Sequence, residues 1–226
     1  MRYRNVVPGT FLSRPNRFIA ICEVDGDVCR CHVKNTGRCR ELLVPGAEVY
    51  LEASGNPQRS TGFDLVTVKK GDLLINMDSQ APNTIVFESL ERIIGPYESA
   101  RREYALGNSR FDIYAEQNGR GTLVEVKGVT LEKDGDVYFP DAPTERGRKH
   151  VKELARLAGE GFRCVVCFVV QMRCDGTMRP NRDTDPGFAD ALEEALGAGV
   201  EIRAFSCRVS PEEIVLGEEI RFGLGR

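Results

Sequence analysis

Two acidic residues and a lysine stand in two short apolar segments, at a spacing that suits metal-dependent chemistry. Asp112 lies in the first segment, and Glu125 and Lys127 lie two residues apart in the second. Alternate residues of a β-strand share one face, so Glu125 and Lys127 project together, and an antiparallel partner strand brings Asp112 beside them. Carboxylate oxygens are the ligands that Mg²⁺ prefers, and a nearby lysine can orient water or stabilise negative charge. The pattern predicts a site for Mg²⁺ or Mn²⁺, with Asp112, Glu125 and Lys127 as candidate catalytic residues for phosphodiester hydrolysis.

An alternative explanation needs no metal. A surface aspartate on one strand and a Glu–Lys ion pair on the next would give the same spacing, which is common by chance. The flanking residues favour the functional interpretation, because they place the charges within central strands and not in loops. These apolar flanks are Phe111, Ile113, Leu123, Val124 and Val126. Without a metal, such a cluster of partly buried charges would be costly.

The two strands of this candidate site form a predicted hairpin, with Asn118-Gly119 at its turn. Around it, residues 81–226 alternate between helical and strand patterns. The predicted elements are a helix at 84–94, strands at 101–106, 109–116 and 121–129, a helix at 144–159, a strand at 162–170, a helix at 186–198 and a strand at 200–205. This alternation predicts an α/β domain with a mixed sheet.

Residues 1–80 contain short strands separated by glycine turns. The predicted strands are 17–24, 28–33, 47–53, 63–68 and 73–76. Their number and spacing predict an all-β barrel of the OB type. Residues 77–84 have no apolar period, so the domain boundary is placed there, with the barrel at 1–80 and the α/β domain at 81–226. We expect each part to have its own core.

Composition limits the classes of function. The chain has 226 residues, 41% of them hydrophobic, and a net charge of −3. These values indicate a globular protein and exclude a globally basic nucleic-acid binder, so any such binding must use local patches. No apolar run approaches the roughly 20 residues of a membrane span, and the N-terminus lacks a signal-peptide core. We therefore expect a cytoplasmic protein that does not bind membranes.

The eight cysteines are expected to be reduced in that compartment. Cys29, Cys31, His32 and Cys39 cluster in the sequence, and a second pair has CxxC spacing within a buried strand. Residues three apart on a strand point to opposite faces, which argues against chelation by that pair. Buried cysteines acting as small apolar side chains explain the pattern better than zinc.

Two local patches are basic enough to bind nucleic acid. One is the polar face of the helix after Thr144, and the other is a loop of the barrel; Arg110 lies near the candidate site. The predicted nucleic-acid-binding residues are Lys34, Asn35, Thr36, Arg38, Arg110, Arg146, Lys149, His150 and Lys152. Two alternatives stay open: the loop can be only a polar turn, and His150 can instead anchor its helix or support the metal site from outside.

Four segments resemble the sugar fermentation stimulation protein A family over nearly the whole chain. They are Asn35-Thr36-Gly37, Pro82-Asn83-Thr84 through Glu88, Ser109-Arg110-Phe111-Asp112, and Phe139-Pro140-Asp141-Ala142 with Thr144-Glu145-Arg146-Gly147 and Lys149-His150. Residues 109–127 also resemble the D…ExK signature of the restriction-nuclease superfamily, although Phe111 replaces the proline that many members have. The resemblance implies an OB-like barrel joined to a restriction-endonuclease-like domain, and DNA as the partner.

The superfamily pattern also implies a third metal ligand on the helix that precedes the sheet. Glu88 matches that position, with Glu91 as its nearest rival, so the implied metal ligands are Glu88, Asp112 and Glu125. Three functions remain open: a metal-dependent nuclease, a DNA-binding regulator of sugar metabolism that does not cut, and an interaction scaffold. A homodimer would suit a nuclease that cuts both strands of a duplex.

Overall fold

The N-terminal part is a closed five-stranded barrel. The computed structural model describes residues 1–35, 37–56, 58–107 and 109–225. The barrel strands are β1 (Val6–Asn16), β2 (Ile19–Val24), β3 (Asp27–Val33), β4 (Glu48–Ala53) and β5 (Phe63–Lys70). Strand β1 pairs with β2 and β4, and a parallel pairing of β3 with β5 closes the ring. A sixth strand, β6 (Leu73–Asn76), extends the sheet beside β5.

Strand β1 was absent from the sequence prediction. Pro8 and Gly9 lie inside it, and both residue types weaken the strand signal in a sequence. Gly9 is needed there because β2 approaches closely: a Cβ at this position would lie 2.8 Å from the carbonyl oxygen of Glu23. The long-range pairing, and not the local pattern, therefore defines this strand.

The C-terminal part is a mixed six-stranded sheet with helices on both faces and a second, smaller sheet. Its elements in chain order are α1 (Ala81–Glu88), α2 (Leu90–Ile94), β7 (Ser99–Leu106), β8 (Ser109–Gln117), β9 (Arg120–Val129), β10 (Leu131–Lys133), β11 (Asp136–Phe139), α3 (Glu145–Gly159), β12 (Arg163–Val170), β13 (Thr177–Pro180), α4 (Pro186–Gly197), β14 (Glu201–Ser210), β15 (Glu213–Glu219) and β16 (Arg221–Phe222). The large sheet has the order β15-β14-β12-β9-β8-β7, and the small one β10-β11-β13-β16.

Strand β12 is the centre of this domain, and it is buried on both faces as its apolar run predicts. It runs parallel to both of its neighbours, β9 and β14. Its alternate residues enter different apolar clusters: Val166 and Phe168 pack with Leu154 of α3, while Val165 and Cys167 pack with Ile85 of α1. The sheet therefore separates α3 and α4 from α1 and α2.

The helix predicted at 84–94 is two short helices, α1 and α2, which meet at Ser89. The backbone at Ser89 has φ −115° and ψ 19°, outside the helical region, so the first helix ends there. The helix at 145–159 begins after its Thr144 cap, as expected. Strands β13, β15 and β16 were not predicted.

The expectation of separate cores is wrong. A single apolar cluster joins Phe11 and Leu51 of the barrel to Leu154 and Phe168 of the C-terminal domain. Buried polar contacts reinforce the junction, because the side-chain amide of Gln171 donates to Asn76 Oδ1 at 3.0 Å and to the carbonyl oxygen of Asp78 at 3.0 Å. The two parts form one packed body.

Within the described ranges, no helix is long and apolar enough to cross a membrane.

Candidate functional site

Asp112 and Glu125 lie on neighbouring strands, as the hairpin prediction requires. Strands β8 and β9 are antiparallel, and Ile113 pairs with Val124. The regular pairing stops at the next residue of each strand, which is Asp112 in β8 and Glu125 in β9. Beyond that point the backbone N–H of Val126 donates to the side chain of Asp112, at Oδ2, over 2.8 Å. The end of the paired hairpin therefore turns the Asp112 carboxylate toward the neighbouring strand.

Glu125 is almost completely buried, with 2% of its surface exposed. Its Oε1 accepts hydrogen bonds from Lys127 Nζ, at 2.6 Å, and from His150 Nδ1. Its Oε2 is buried and has no hydrogen-bond partner among the described residues. A buried charged oxygen without a partner is costly. The site therefore presents one carboxylate oxygen that is free to bind a ligand.

The two carboxylates differ in their acidity. Burial, and next the charge of Glu125, raise the pKa of Asp112 above its ordinary value. Burial also acts to raise the pKa of Glu125, but the hydrogen bond from His150 and the charge of Lys127 outweigh it and hold that pKa below 4.5. Glu125 is thus the more acidic of the two, and a bound cation would favour the ionised form of both.

Asn83 is a site residue that the sequence prediction missed. Its side-chain amide, on α1, donates to Asp112 Oδ1 at 2.8 Å. The only signal in the sequence was its position in the Pro82-Asn83-Thr84 segment. No local pattern indicates that this polar residue points to the sheet.

The structure does not bring Glu88 to the carboxylate pair. Glu88 is the last residue of α1, its side chain is about half exposed, and it pairs with the N-terminal amine of Met1 at 3.3 Å. Five residues along an α-helix correspond to a rotation of roughly 140°, so Glu88 points away from the face that Asn83 presents to Asp112. Its rival Glu91 is exposed on α2. Helix α1 therefore supplies the amide of Asn83 to the pair, and not a third carboxylate.

Helix α3 positions His150. The helix begins at Thr144, whose hydroxyl accepts from the backbone N–H of Gly147 at 3.1 Å. Val151 and Leu154 are buried against the sheet, which fixes the rotation of the helix. His150 consequently reaches Glu125 and is only slightly exposed. Of the roles left open for His150, the geometry favours support of the carboxylate pair.

Of the other basic residues of α3, Arg148 is partly buried against Asp185 and the rest are exposed, with part of their charge balanced. Lys152 lies 3.8 Å from Glu194, and Arg156 pairs with Glu153 and Glu160. Arg110 pairs with Glu103 at 3.2 Å. Arg146 and Lys149 form no ion pair with the described residues. The basic face of this helix is therefore smaller than the sequence pattern indicates.

Lys34 does not belong to an exposed basic patch. Its Nζ lies 3.3 Å from Asp78 Oδ2, 3.6 Å from Asp64 Oδ2 and 3.8 Å from Glu52 Oε2. Three carboxylates around one ammonium group leave little attraction for a phosphate. The proposed contact of Lys34 with nucleic acid is not supported, because the tertiary fold encloses it in acidic residues.

The other residues of this loop have different surroundings. Asn35 Oδ1 accepts from the backbone N–H of Gly37 at 2.8 Å, which is the polar turn considered as the alternative. Thr36 lies outside the described residues. Arg38 is exposed, and its backbone N–H donates to Asp141 Oδ2 at 3.0 Å. The barrel loop is therefore bonded to the segment that precedes α3.

A cavity of about 300 Å³ opens where the barrel meets the C-terminal domain. Residues from the family-like segments and from β9 line it, including Asn35, Gly37, Gly128, Tyr138, Asp141 and Thr144. Gly128 directly follows Lys127 in β9. Segments that are far apart in the sequence therefore converge where the barrel meets the C-terminal domain.

The eight cysteines are unpaired and, except for the half-buried Cys29, buried. Burial raises the pKa of Cys164 and of Cys167 to about 12, as expected for thiols that act as apolar side chains. In the part of the chain that the structure describes, no three His, Cys, Asp or Glu side chains are arranged to hold a metal ion together.

Two family models match the chain in the order of its two parts. The SfsA N-terminal OB domain matches residues 12–77, and the sugar fermentation stimulation protein RE domain matches residues 80–213. A sugar fermentation stimulation protein homolog from Desulfitobacterium hafniense (strain Y51) is 48% identical over 219 residues, which is 96% of each chain. A second homolog, from Alkaliphilus oremlandii, is 47% identical and covers 97% of each chain.

A solved structure agrees with the fold. SfsA of Pyrococcus furiosus, in complex with Ca²⁺, aligns with a TM-score of 0.87 and 29% identity over 99% of this chain and 98% of that one. A repair endonuclease from Pyrococcus abyssi aligns with a TM-score of only 0.34 and 15% identity, so it carries no argument. The predicted fold class, an OB-like barrel followed by a mixed-sheet α+β domain, is confirmed. From these matches over nearly its whole length, the chain belongs to the sugar fermentation stimulation protein family.

Proposed function

We propose that this chain binds DNA and holds Mg²⁺ or Mn²⁺ between Asp112 and Glu125, and that it hydrolyses phosphodiester bonds there. The observation that carries the proposal is the buried Oε2 of Glu125, which has no hydrogen-bond partner among the described residues and lies on the strand beside Asp112. A divalent cation would satisfy this oxygen and oppose both the burial and the charge of Glu125, which together raise the pKa of Asp112.

The available ligands suit a hard cation. Two carboxylates are present, and Mg²⁺ commonly binds to one or two carboxylates while water and substrate phosphates complete its shell. The family member from Pyrococcus furiosus was solved in complex with Ca²⁺, another cation that prefers oxygen ligands. When bound, the metal would polarise a phosphoryl oxygen and ease the deprotonation of water.

The other residues hold the carboxylates and supply positive charge. Asn83 and the backbone N–H of Val126 fix Asp112, and His150 fixes Glu125. Lys127 is only slightly exposed and shares the face of Glu125. Its ammonium group is suited to orient the attacking water or to stabilise charge on the phosphate as the bond breaks.

Support for DNA as the partner comes from the OB-like barrel, a fold that often binds oligonucleotides, and from the exposed charges of Arg146 and Lys149. A DNA-binding protein that does not cut is the second candidate. The observation in its favour is the 2.6 Å ion pair between Lys127 and Glu125, which occupies the lysine that catalysis would need.

The test compares three variants with the unaltered protein. Asp112→Asn should abolish Mn²⁺ binding in isothermal titration calorimetry, because it removes a ligand charge. Lys127→Ala should retain Mn²⁺ and DNA but cut at least a hundredfold more slowly, which corresponds to about 3 kcal/mol of transition-state stabilisation. Asp72→Asn, at an exposed turn between β5 and β6, is the matched control and should change neither property.

The substrates are single-stranded, duplex and branched DNA, with RNA in parallel, each with Mg²⁺ or Mn²⁺. If all of them stay intact while Mn²⁺ and DNA still bind, the hydrolase part of the proposal is wrong and the non-cutting candidate remains. If the unaltered protein binds no divalent cation, the metal site itself is wrong.

A further inference from the structure

The barrel carries a strongly basic groove next to the interdomain cavity. It encloses about 440 Å³ and is lined by Arg14, Asn16, Arg17, Gly37, Arg38, Arg40 and Leu43. Four of these residues are arginines, and none of the described lining residues is acidic. In a chain with a net charge of −3, such a local concentration of positive charge points to an anionic ligand.

Arg14 builds the groove and is not available to a ligand. Its guanidinium donates to four main-chain carbonyl oxygens at 2.7 to 2.9 Å, those of Arg17, Asn35, Gly37 and Arg38. These bonds tie the end of β1 to the loop that follows β3. The groove is therefore a preformed feature of the barrel and does not depend on an ordering step.

The side chains of the other three arginines form no ion pair among the described residues, although the backbone N–H of Arg38 donates to Asp141 Oδ2 at 3.0 Å. Arg17, Arg38 and Arg40 are exposed, and none forms an ion pair with a carboxylate in the described ranges. This distinguishes them from Lys34, Arg110 and Lys152, whose side chains all pair with carboxylates. Their charge remains available for phosphate groups.

An exposed aromatic ring stands beside these arginines. Phe18 is 44% exposed, and the guanidinium of Arg17 lies 4.9 Å from the centre of its ring. Proteins that bind single strands combine a basic groove for the backbone with aromatic rings on which bases stack. A duplex keeps its bases stacked inside and cannot use such a ring.

The groove lies beside the interdomain cavity, because Gly37 lines both of them.

We infer that the groove formed by Arg17, Arg38 and Arg40, together with Phe18, binds single-stranded nucleic acid beside the interdomain cavity. This inference rests on the proposed function and narrows its substrate to single strands or single-stranded ends. The arginines hold the phosphates, and Phe18 stacks on a base.

The test measures fluorescence polarisation of labelled oligo-dT, oligo-U and a blunt hairpin duplex of matched length, with the full chain in EDTA. The unaltered protein should bind a single strand at least tenfold more tightly than the duplex. Arg17→Glu with Arg40→Glu should weaken that binding at least tenfold and reduce the slope of log K against log salt by about 1.4, since each phosphate contact on a single strand contributes about 0.7. Phe18→Ala should weaken it about fivefold or more without changing the salt slope.

Arg208→Glu, at an exposed arginine on β14, is the matched control and should leave both the affinity and the slope unchanged. Circular dichroism of each variant checks that the fold is intact. Three outcomes would each overturn the inference while Mn²⁺ binding at Asp112 persists. The first is equal affinity for the duplex, and the second is an unchanged salt slope in the double variant. The third is displacement of oligo-dT by oligo-glutamate of equal charge. Loss of Mn²⁺ binding in the unaltered protein would instead count against the metal site.

Discussion

Asp112 depends on a neighbour that contributes no charge. Asn83 donates to its Oδ1, and the carboxylate has few other bonds. Residues that orient metal ligands commonly contribute roughly 10- to 100-fold to metal affinity. Asn83→Ala should therefore weaken Mn²⁺ binding by a factor in this range, measured by isothermal titration calorimetry.

Thr84→Ala, at the next position of α1, is the matched control and should leave the affinity unchanged. The melting temperature separates positioning from folding: a loss of affinity without a matching loss of stability supports the positioning role. Unchanged Mn²⁺ affinity in Asn83→Ala would contradict it.

The candidate site was predictable where it follows the period of one hairpin, and not elsewhere. Asp112, Glu125 and Lys127 could be grouped because the side-chain period of a strand is two. Asn83 and His150 come from helices whose rotation is set by packing, which a single sequence does not reveal. Lys34 shows the opposite error: its basic neighbours in the sequence suggested a free charge, but Asp64 and Asp78 arrive from distant segments.

At the scale of elements, Asp185 joins the beginnings of two helices. Its side chain is 4% exposed. Asp185 Oδ2 accepts at 2.8 Å from the backbone N–H of Thr144, the residue that caps α3. Asp185 Oδ1 accepts at 3.0 Å from the backbone N–H of Phe188, in the first turn of α4. Asp185→Ala leaves the backbone N–H of Thr144 without its acceptor and removes the side-chain cap of α4. It should therefore destabilise the fold by about 3 kcal/mol in urea unfolding. Because α3 carries His150, Mn²⁺ affinity should fall as well.

Asp190→Ala is the control for this prediction. Asp190 is exposed on α4 and pairs with Arg182 at the surface. The loss of this pair should lower the free energy of unfolding by roughly 0.5 kcal/mol or less. Equal destabilisation by the two substitutions would show that the link between the helices is unimportant.

Elements with strong local signals were predicted from the sequence, and elements defined by their partners were not. The hairpin of β8 and β9 has Asn118-Gly119 at its turn, and α3 has a threonine cap and an apolar stripe. Strand β1 contains Pro8, and β16 has only two residues, Arg221 and Phe222, so neither has a local pattern that identifies a strand. Long-range pairing creates them.

At the scale of the whole molecule, the shared core should make the chain unfold in one step. The apolar cluster that crosses the boundary would be exposed if either part unfolded alone, and Gln171 would lose its buried partners Asn76 and Asp78. The N-terminal segment adds to this coupling, because the backbone N–H of Tyr3 donates to the carbonyl oxygen of Glu212. Separate unfolding would thus carry a large cost in exposed apolar area.

The chain contains no tryptophan, so a single introduced tryptophan can report on each part. Tyr50→Trp places the probe in β4 of the barrel, and Tyr97→Trp places it before β7 in the C-terminal domain. In urea, fluorescence from each variant and far-ultraviolet circular dichroism should give the same midpoint, which is the test for a two-state transition. If the barrel and the C-terminal domain unfold together, Gln171→Ala should lower the urea midpoint reported by each tryptophan by the same amount. Two separate midpoints in the parent variants would mean that the barrel and the C-terminal domain unfold independently despite their shared core.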